Sequence, residues 1–98
     1  MGKKPTKFSF KKHAPTGRYR SFENSYWDIK IKGRQVGNIW EKDYGTYFRI
    51  GLMVKKGDGF KFIYLKAKPK TIEKAKDFLN RNFDRILERY DLHYQPKE

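Results

Sequence analysis

Aromatic side chains recur at alternate positions in the segment FKFIYLKAKPK, residues 60–70. Phe60, Phe62 and Tyr64 would share one face of an extended strand, because side chains two positions apart point to the same side. Lysines occupy positions 61, 66, 68 and 70 of the same segment. Exposed rings stack on nucleobases and lysines neutralise phosphates, so rings and lysines on one surface are typical of nucleic-acid binding.

The opposite side of this strand is also apolar, since Ile63, Leu65 and Ala67 occupy the intervening positions. A chain of 98 residues has room for only one modest core. One side of the strand therefore belongs to that core. The ring side either binds a partner or is covered by another part of the chain, as a second small core.

A second alternating segment, TYFRIGLMVKK, precedes this strand and places Ile50, Leu52 and Val54 on its apolar side. The sequence KGDG, residues 56–59, predicts a tight turn between the two strands, because glycine and aspartate tolerate turn conformations. The two strands are then antiparallel neighbours, and their ring side is our candidate nucleic-acid surface. Its predicted members are Tyr47, Arg49, Phe60, Phe62, Tyr64 and Lys66.

The segment YWDIKIKGRQVGNIW predicts a β-hairpin that precedes these strands. Trp27, Ile29 and Ile31 lie on one side of its first strand, and Lys32-Gly33-Arg34 supplies the turn. Gly37 in the returning strand indicates a bulge or a close backbone approach. This hairpin and the N-terminal segment are the two parts of the chain that could cover the ring side.

The C-terminal part predicts one helix, over residues 71–90. Thr71 can cap its first amides, and apolar residues then recur at intervals of three and four from Ile72 to Tyr90. We therefore expect the α+β class, with an antiparallel three- to four-stranded sheet, one C-terminal helix packed on one face and a basic N-terminal arm. Residues 25–98 would form a single ββββα domain.

Residues 1–24 are expected to form a basic, flexible arm, because prolines and a glycine interrupt any regular pattern. The stretch KFSFK within the arm could add a short strand to the body. Cations on such a segment reach phosphates without a fixed geometry for base edges. The predicted contacts in the arm are Lys3, Lys4, Lys7, Lys11, Lys12, Arg18 and Arg20.

Part of the chain resembles the three-stranded DNA-binding domains that include the arm-binding domains of tyrosine recombinases and the plant ethylene-response type. The resemblance rests on GTYFRIGLMV from Gly45, the glycine-containing turn, the following strand and TIEKAKDFL from Thr71. In those families the sheet enters the DNA major groove, and a helix that begins with a Thr-x-x-x-Ala segment, matched by Thr71 and Ala75, packs behind it. The resemblance implies that Tyr47, Arg49, Lys61 and Tyr64 lie near DNA.

The charge balance also favours an acidic partner, since 24 Lys and Arg against 11 Asp and Glu give a formal net charge of +13. We expect the partner to be nucleic acid, DNA rather than RNA. An acidic host protein is the alternative, for a phage or mobile-element protein that inhibits a host enzyme through an apolar patch of Trp40, Tyr44, Met53 and Phe60. No membrane span is expected, and the predicted location is cytoplasmic, with nucleoid association in a bacterial or phage setting.

We expect neither an enzyme nor a bound cofactor. The chain has no cysteine, its two histidines are His13 and His93, and no nucleophile or phosphate-loop motif accompanies them. Asp28, Glu41 and Asp43 could in principle bind a magnesium ion, although solvated carboxylates are the commoner reading of such a set.

Overall fold

The computed structural model describes residues 7–13, 25–42 and 45–96. They form an α+β domain with five antiparallel strands in one sheet, whose spatial order is the order of the chain. The strands are β1 (Ser9–His13), β2 (Tyr26–Ile31), β3 (Arg34–Lys42), β4 (Tyr47–Lys56) and β5 (Gly59–Tyr64). Two short helices follow, α1 (Ile72–Arg81) and α2 (Phe83–Arg89).

The expected three- to four-stranded sheet with one C-terminal helix was therefore wrong. The fifth strand is β1, which lies in the segment assigned to the arm and pairs antiparallel with β2. Burial of two aromatic side chains explains it. Phe8 is 4% exposed, with its ring 4.9 Å from that of Phe83 in an edge-to-face contact, and Phe10 lies opposite Ile29. A fully buried ring such as that of Phe8 contributes about 1.5–3 kcal/mol, and the half-buried Phe10 adds to it, which favours a paired strand over a free arm.

The predicted single helix is divided at Asn82, whose backbone (φ −105°, ψ 18°) lies outside the helical region. The Asn82 side chain donates a hydrogen bond of 2.7 Å to the Phe78 carbonyl, an alternative to regular helix geometry that asparagine commonly takes. Backbone bonds continue across the break, from Asn82 to Phe78 and from Ile86 to Asn82. The apolar spacing of the sequence is therefore uninterrupted, and spacing alone predicts one helix.

The start of the helical region agrees with the sequence. Thr71 has extended backbone geometry, and its hydroxyl oxygen accepts a 3.0 Å hydrogen bond from the Lys74 amide. This interaction satisfies one of the amides that have no partner within the first turn. The predicted cap is confirmed.

One side of the sheet carries the core, and the two helices cover that side. The strands contribute Ile29, Ile39, Ile50 and Leu52, all fully buried. The buried helix residues are Ala75, Leu79, Phe83 and Ile86. The other side of the sheet, which we call the reverse face, holds the side chains that point away from the helices.

The C-terminal segment 91–95 fills a gap in the sheet where β3 and β4 separate. The Lys55 amide donates to the Asp91 carbonyl at 2.9 Å, and the His93 amide donates to the Met53 carbonyl at 2.8 Å. On the other side of the gap, the Gln95 amide donates to the Gln35 carbonyl at 3.0 Å. The segment thus satisfies backbone groups that the sheet would otherwise leave unpaired.

Among the described residues, no helix has the length and apolar character needed to cross a membrane.

Candidate nucleic-acid interface

A row of side chains crosses the reverse face from strand to strand. The register places His13 opposite Tyr26, Tyr26 opposite Trp40, and Trp40 opposite Arg49. The His13 and Tyr26 rings are stacked with their centroids 4.7 Å apart. The Arg49 guanidinium lies 5.1 Å from the ring centre of Tyr64 on β5, so the row continues to the edge of the sheet. We call His13, Tyr26, Trp40, Arg49 and Tyr64 the ring row.

Strand β5 widens the ring row at its edge. Phe60, Phe62 and Tyr64 lie on the reverse face, as the alternation predicts, since Phe62 is the partner of Met53 and Tyr64 of Gly51. The Trp40 ring contacts two of them, at centroid distances of 5.7 Å to Phe62 and 5.9 Å to Tyr64. These contacts hold the three rings together.

Gly51 lies under the rings of Trp40 and Tyr64 and makes their position possible. A Cβ atom at residue 51 would lie 2.8 Å from the nearest atom of the Trp40 ring and 3.1 Å from the nearest atom of Tyr64. Such distances are too short for carbon atoms. The missing side chain of Gly51 therefore leaves the space that these two large rings occupy beside the strand.

The exposed fractions decide how much of this face is available to a partner. Tyr64 is 54% exposed, Phe60 38% and Tyr26 37%, whereas Phe62 and Trp40 are half-buried. If the reverse face formed a second core, these rings would be buried as deeply as the side chains of the core beneath the helices. Among the described apolar side chains of the reverse face, Met53 is the one with core-like burial, at 1%. The Gln95 amide nitrogen lies 3.8 Å from its sulfur, so the C-terminal segment contributes to that burial.

Cations accompany the rings on the reverse face. Lys42 and Arg49 line a small notch of about 120 Å³ whose other walls are Trp40 and Tyr64. Lys68 lies over the ring of Tyr47, 5.5 Å from its centre. A phosphate beside the rings would therefore meet positive charge, and a base would meet ring faces.

A polar group lies beside the β1 end of the row. The Asp28 carboxylate accepts from His13 at 2.8 Å and from the Asn38 side-chain amide at 3.0 Å. The Gln35 side-chain amide donates to the Asn38 oxygen at 2.9 Å. These bonds orient the His13 ring against Tyr26, so Asp28 has a structural role in the ring row.

The predicted cations fall on different sides of the molecule. Lys11 is exposed on the reverse face, opposite Asp28 in the register. Lys12 lies on the core side, 5.6 Å from the centre of the Trp27 ring, and Lys7 is exposed. Lys66 lines a groove between β5 and α2. Lys61 is the register partner of core residue Val54, so it points away from Tyr64.

The predicted contacts Lys3, Lys4, Arg18 and Arg20 lie outside the described residues.

Sequence reasoning missed three members of the ring row. Tyr26 and His13 were not linked to the ring surface, because nothing in one segment shows which residues another segment places beside it. Trp40 was considered only for a protein-binding patch. The alternation of side chains along β2 was an available signal. It places Tyr26 on the opposite side of the strand from Trp27, which faces the core.

No protein-family model, curated protein or solved structure matches this chain. The resemblance to three-stranded DNA-binding domains therefore stays a prediction. Within the described segments, no three His, Asp or Glu side chains form a group that could hold a metal ion.

Proposed function

We propose that this protein binds single-stranded nucleic acid, DNA in the first place, across the ring row. The observation that carries the proposal is the continuity of the row, in which all five strands contribute a ring or a guanidinium at neighbouring register positions. Each base stacked on an aromatic side chain contributes about 1–3 kcal/mol, whatever its identity. Binding of this kind has little sequence preference.

The dimensions of the row suit a short stretch of unpaired nucleotides. Four intervals between five strands span about 19 Å at the usual strand separation. With one ring or guanidinium at each strand separation of about 4.8 Å, this length suits a stretch of a few unpaired nucleotides. A duplex offers its base faces only at its ends, so exposed rings favour a single strand.

The charge of the face supports the same proposal. Arg49 and Lys42 lie beside Trp40 and Tyr64, where a bound phosphate would meet them, and Lys11 is a further exposed cation of the same face on β1. The cations of residues 1–6 and 14–24 would add affinity without base selection, as the sequence predicts.

The test is binding of fluorescently labelled oligothymidylate, measured by anisotropy at two salt concentrations. Tyr64→Ala should weaken binding by about 1–3 kcal/mol while the melting temperature changes little, because Tyr64 is more than half exposed. Arg49→Ala should lower both the affinity and its dependence on salt. Leu87→Ala, at a 37% exposed position of α2, is the matched control and should bind as the unaltered protein does.

Two results would overturn the proposal. Equal affinity of Tyr64→Ala, Phe62→Ala and the unaltered protein would exclude stacking on β5. A duplex that binds more tightly than the single strand, with unchanged affinity in the ring variants, would favour the groove-bound mode of the three-stranded DNA-binding domains.

The alternative of an inhibitor that binds a host protein required an exposed patch that includes Met53. Met53 is buried, Tyr44 lies outside the described residues, and Trp40 and Phe60 belong to the ring surface. The structure therefore gives no support to that particular patch. Recovery of one protein from a nuclease-treated lysate would still favour this class over nucleic-acid binding.

A further inference from the structure

Strand β5 is an edge of the sheet, and the register shows which of its residues direct their backbone groups away from β4. In an antiparallel pair, the residues directly opposite each other either both point their backbone groups inward or both point them outward. Lys55 and Met53 bond to the C-terminal segment, away from β5. Their partners Phe60 and Phe62 therefore direct amide and carbonyl groups to the free edge, and so does Tyr64 two residues later.

A groove of about 600 Å³ lies next to the end of this edge, between β5 and the helices. Its apolar lining comes from Leu65 and Ala67 after β5, Phe78 on α1 and Ile86 on α2. Its charged lining consists of Lys66, Arg85 and Arg89. The groove thus joins an apolar floor to a positive rim.

No carboxylate belongs to the lining of this groove. Arg85 and Arg89 are four positions apart on α2, where like charges repel. Within the described residues neither arginine forms an ion pair, whereas Arg81 on α1 is paired with Asp77 at 2.9 Å. The rim is therefore a place where negative charge from a ligand would be stabilising.

We propose that an acidic peptide segment binds here by adding a sixth strand to β5. Its backbone would pair with Phe60, Phe62 and Tyr64, and alternate side chains would enter the groove, an apolar one on the floor and acidic ones at the rim. This surface adjoins the ring row at Tyr64, whose side chain also lines the groove, but it uses the backbone edge of β5 rather than the side-chain rings. A second copy of the chain is disfavoured as the occupant, because both copies would carry a net charge of +13.

The probe is a synthetic peptide in which a leucine has glutamate two positions away on each side, with threonine at the other positions. Amide NMR spectra of the full chain should shift at β5 and at α2. The amides of Phe62 and Tyr64 should exchange more slowly with solvent when the peptide is bound. A peptide with lysines in place of the glutamates should not bind, and N-methylation of the glutamate-containing peptide should abolish the protection.

Charge-reversal variants separate the groove from general attraction. Arg85→Glu together with Arg89→Glu should weaken peptide binding about tenfold or more. The control is Lys70→Glu together with Lys74→Glu, which removes the same charge at exposed positions outside the groove. Oligothymidylate binding should change equally in both double variants.

Three outcomes would overturn the proposal. Equal weakening in the two double variants would mean that the peptide senses only net charge. Binding without protection of the β5 amides would exclude strand addition. A selective loss of oligothymidylate binding in the Arg85 and Arg89 variant, with the peptide unaffected, would assign the groove to the nucleic acid.

Discussion

Two glycines in the middle of the sheet illustrate how single residues shape the candidate site. Gly51 and Gly37 lie on neighbouring strands, and both positions exclude a side chain. The obstacle differs between them. At Gly51 a methyl group would meet two half-exposed rings, whereas at Gly37 it would overlap the Gly51 carbonyl oxygen, which belongs to the backbone.

Gly51→Ala should therefore disturb binding more than folding. The rings of Trp40 and Tyr64 can move outward, so we expect a stability loss in the range of about 1–3 kcal/mol and a clear loss of oligothymidylate affinity. Gly37→Ala should cost more stability, because a backbone atom in the middle of a sheet cannot move aside. Urea unfolding and anisotropy titrations of both variants check this order, which would be contradicted if Gly51→Ala proved the less stable of the two.

At the scale of elements, part of the N-terminal segment is attached to the domain through β1 and Phe8. The Phe8 amide donates a 2.8 Å hydrogen bond to the Asn80 side chain on α1, in addition to the contact between Phe8 and Phe83. Cations of this segment therefore belong partly to a sheet strand with fixed geometry. A truncation meant to remove cations without loss of these contacts has to end before Phe8.

Phe8→Ala and Phe60→Ala make the same chemical change at sites of different burial. Phe8 is 4% exposed and Phe60 38%. We expect Phe8→Ala to lower the free energy of unfolding by about 3–5 kcal/mol. Phe60→Ala should lower it by about 1 kcal/mol, because it removes aromatic contacts at the surface. Thermal unfolding of the two variants measures the difference. A loss for Phe8→Ala no larger than that for Phe60→Ala would contradict the prediction that the buried contacts of Phe8 stabilise the domain.

At the scale of the whole molecule, the net charge of +13 acts on folding and on binding in opposite directions. Two of the three described pairs, Lys55–Asp91 and Arg81–Asp77, are largely exposed, so they contribute little. The third, His13–Asp28, is an ion pair only when His13 is protonated. Repulsion among the excess cations therefore dominates the electrostatic part of the stability.

Added sodium chloride should raise the melting temperature while it weakens oligothymidylate binding. Salt screens the repulsion that opposes folding, and it reduces the gain from releasing counterions when phosphates bind. Calorimetric scans and anisotropy titrations over the same salt series test both directions. A melting temperature that falls with salt would show that attractive ion pairs outweigh the repulsion.

Local patterns in the sequence determined which side of each segment is apolar. The alternation in β4 placed Ile50, Leu52 and Val54 in the core, and the alternation in β5 placed its rings together on the other side. These inferences held because a strand has a period of two residues and needs no distant partner to define it. Thr71 was likewise recognisable as a cap from its immediate neighbours.

Only the tertiary structure decided which segments lie side by side. In the structure β1 pairs with β2, and His13, Tyr26, Trp40 and Arg49 lie in one row. Residues 91–95 bond to β3 and β4 and contribute to the burial of Met53. Strand neighbours and register depend on packing between residues far apart in the chain, and a slip of one residue would turn a strand's side chains to the opposite face. No local pattern contains that information. The sequence therefore predicted the candidate surface on two strands, whereas the ring row has a member on each of the five strands.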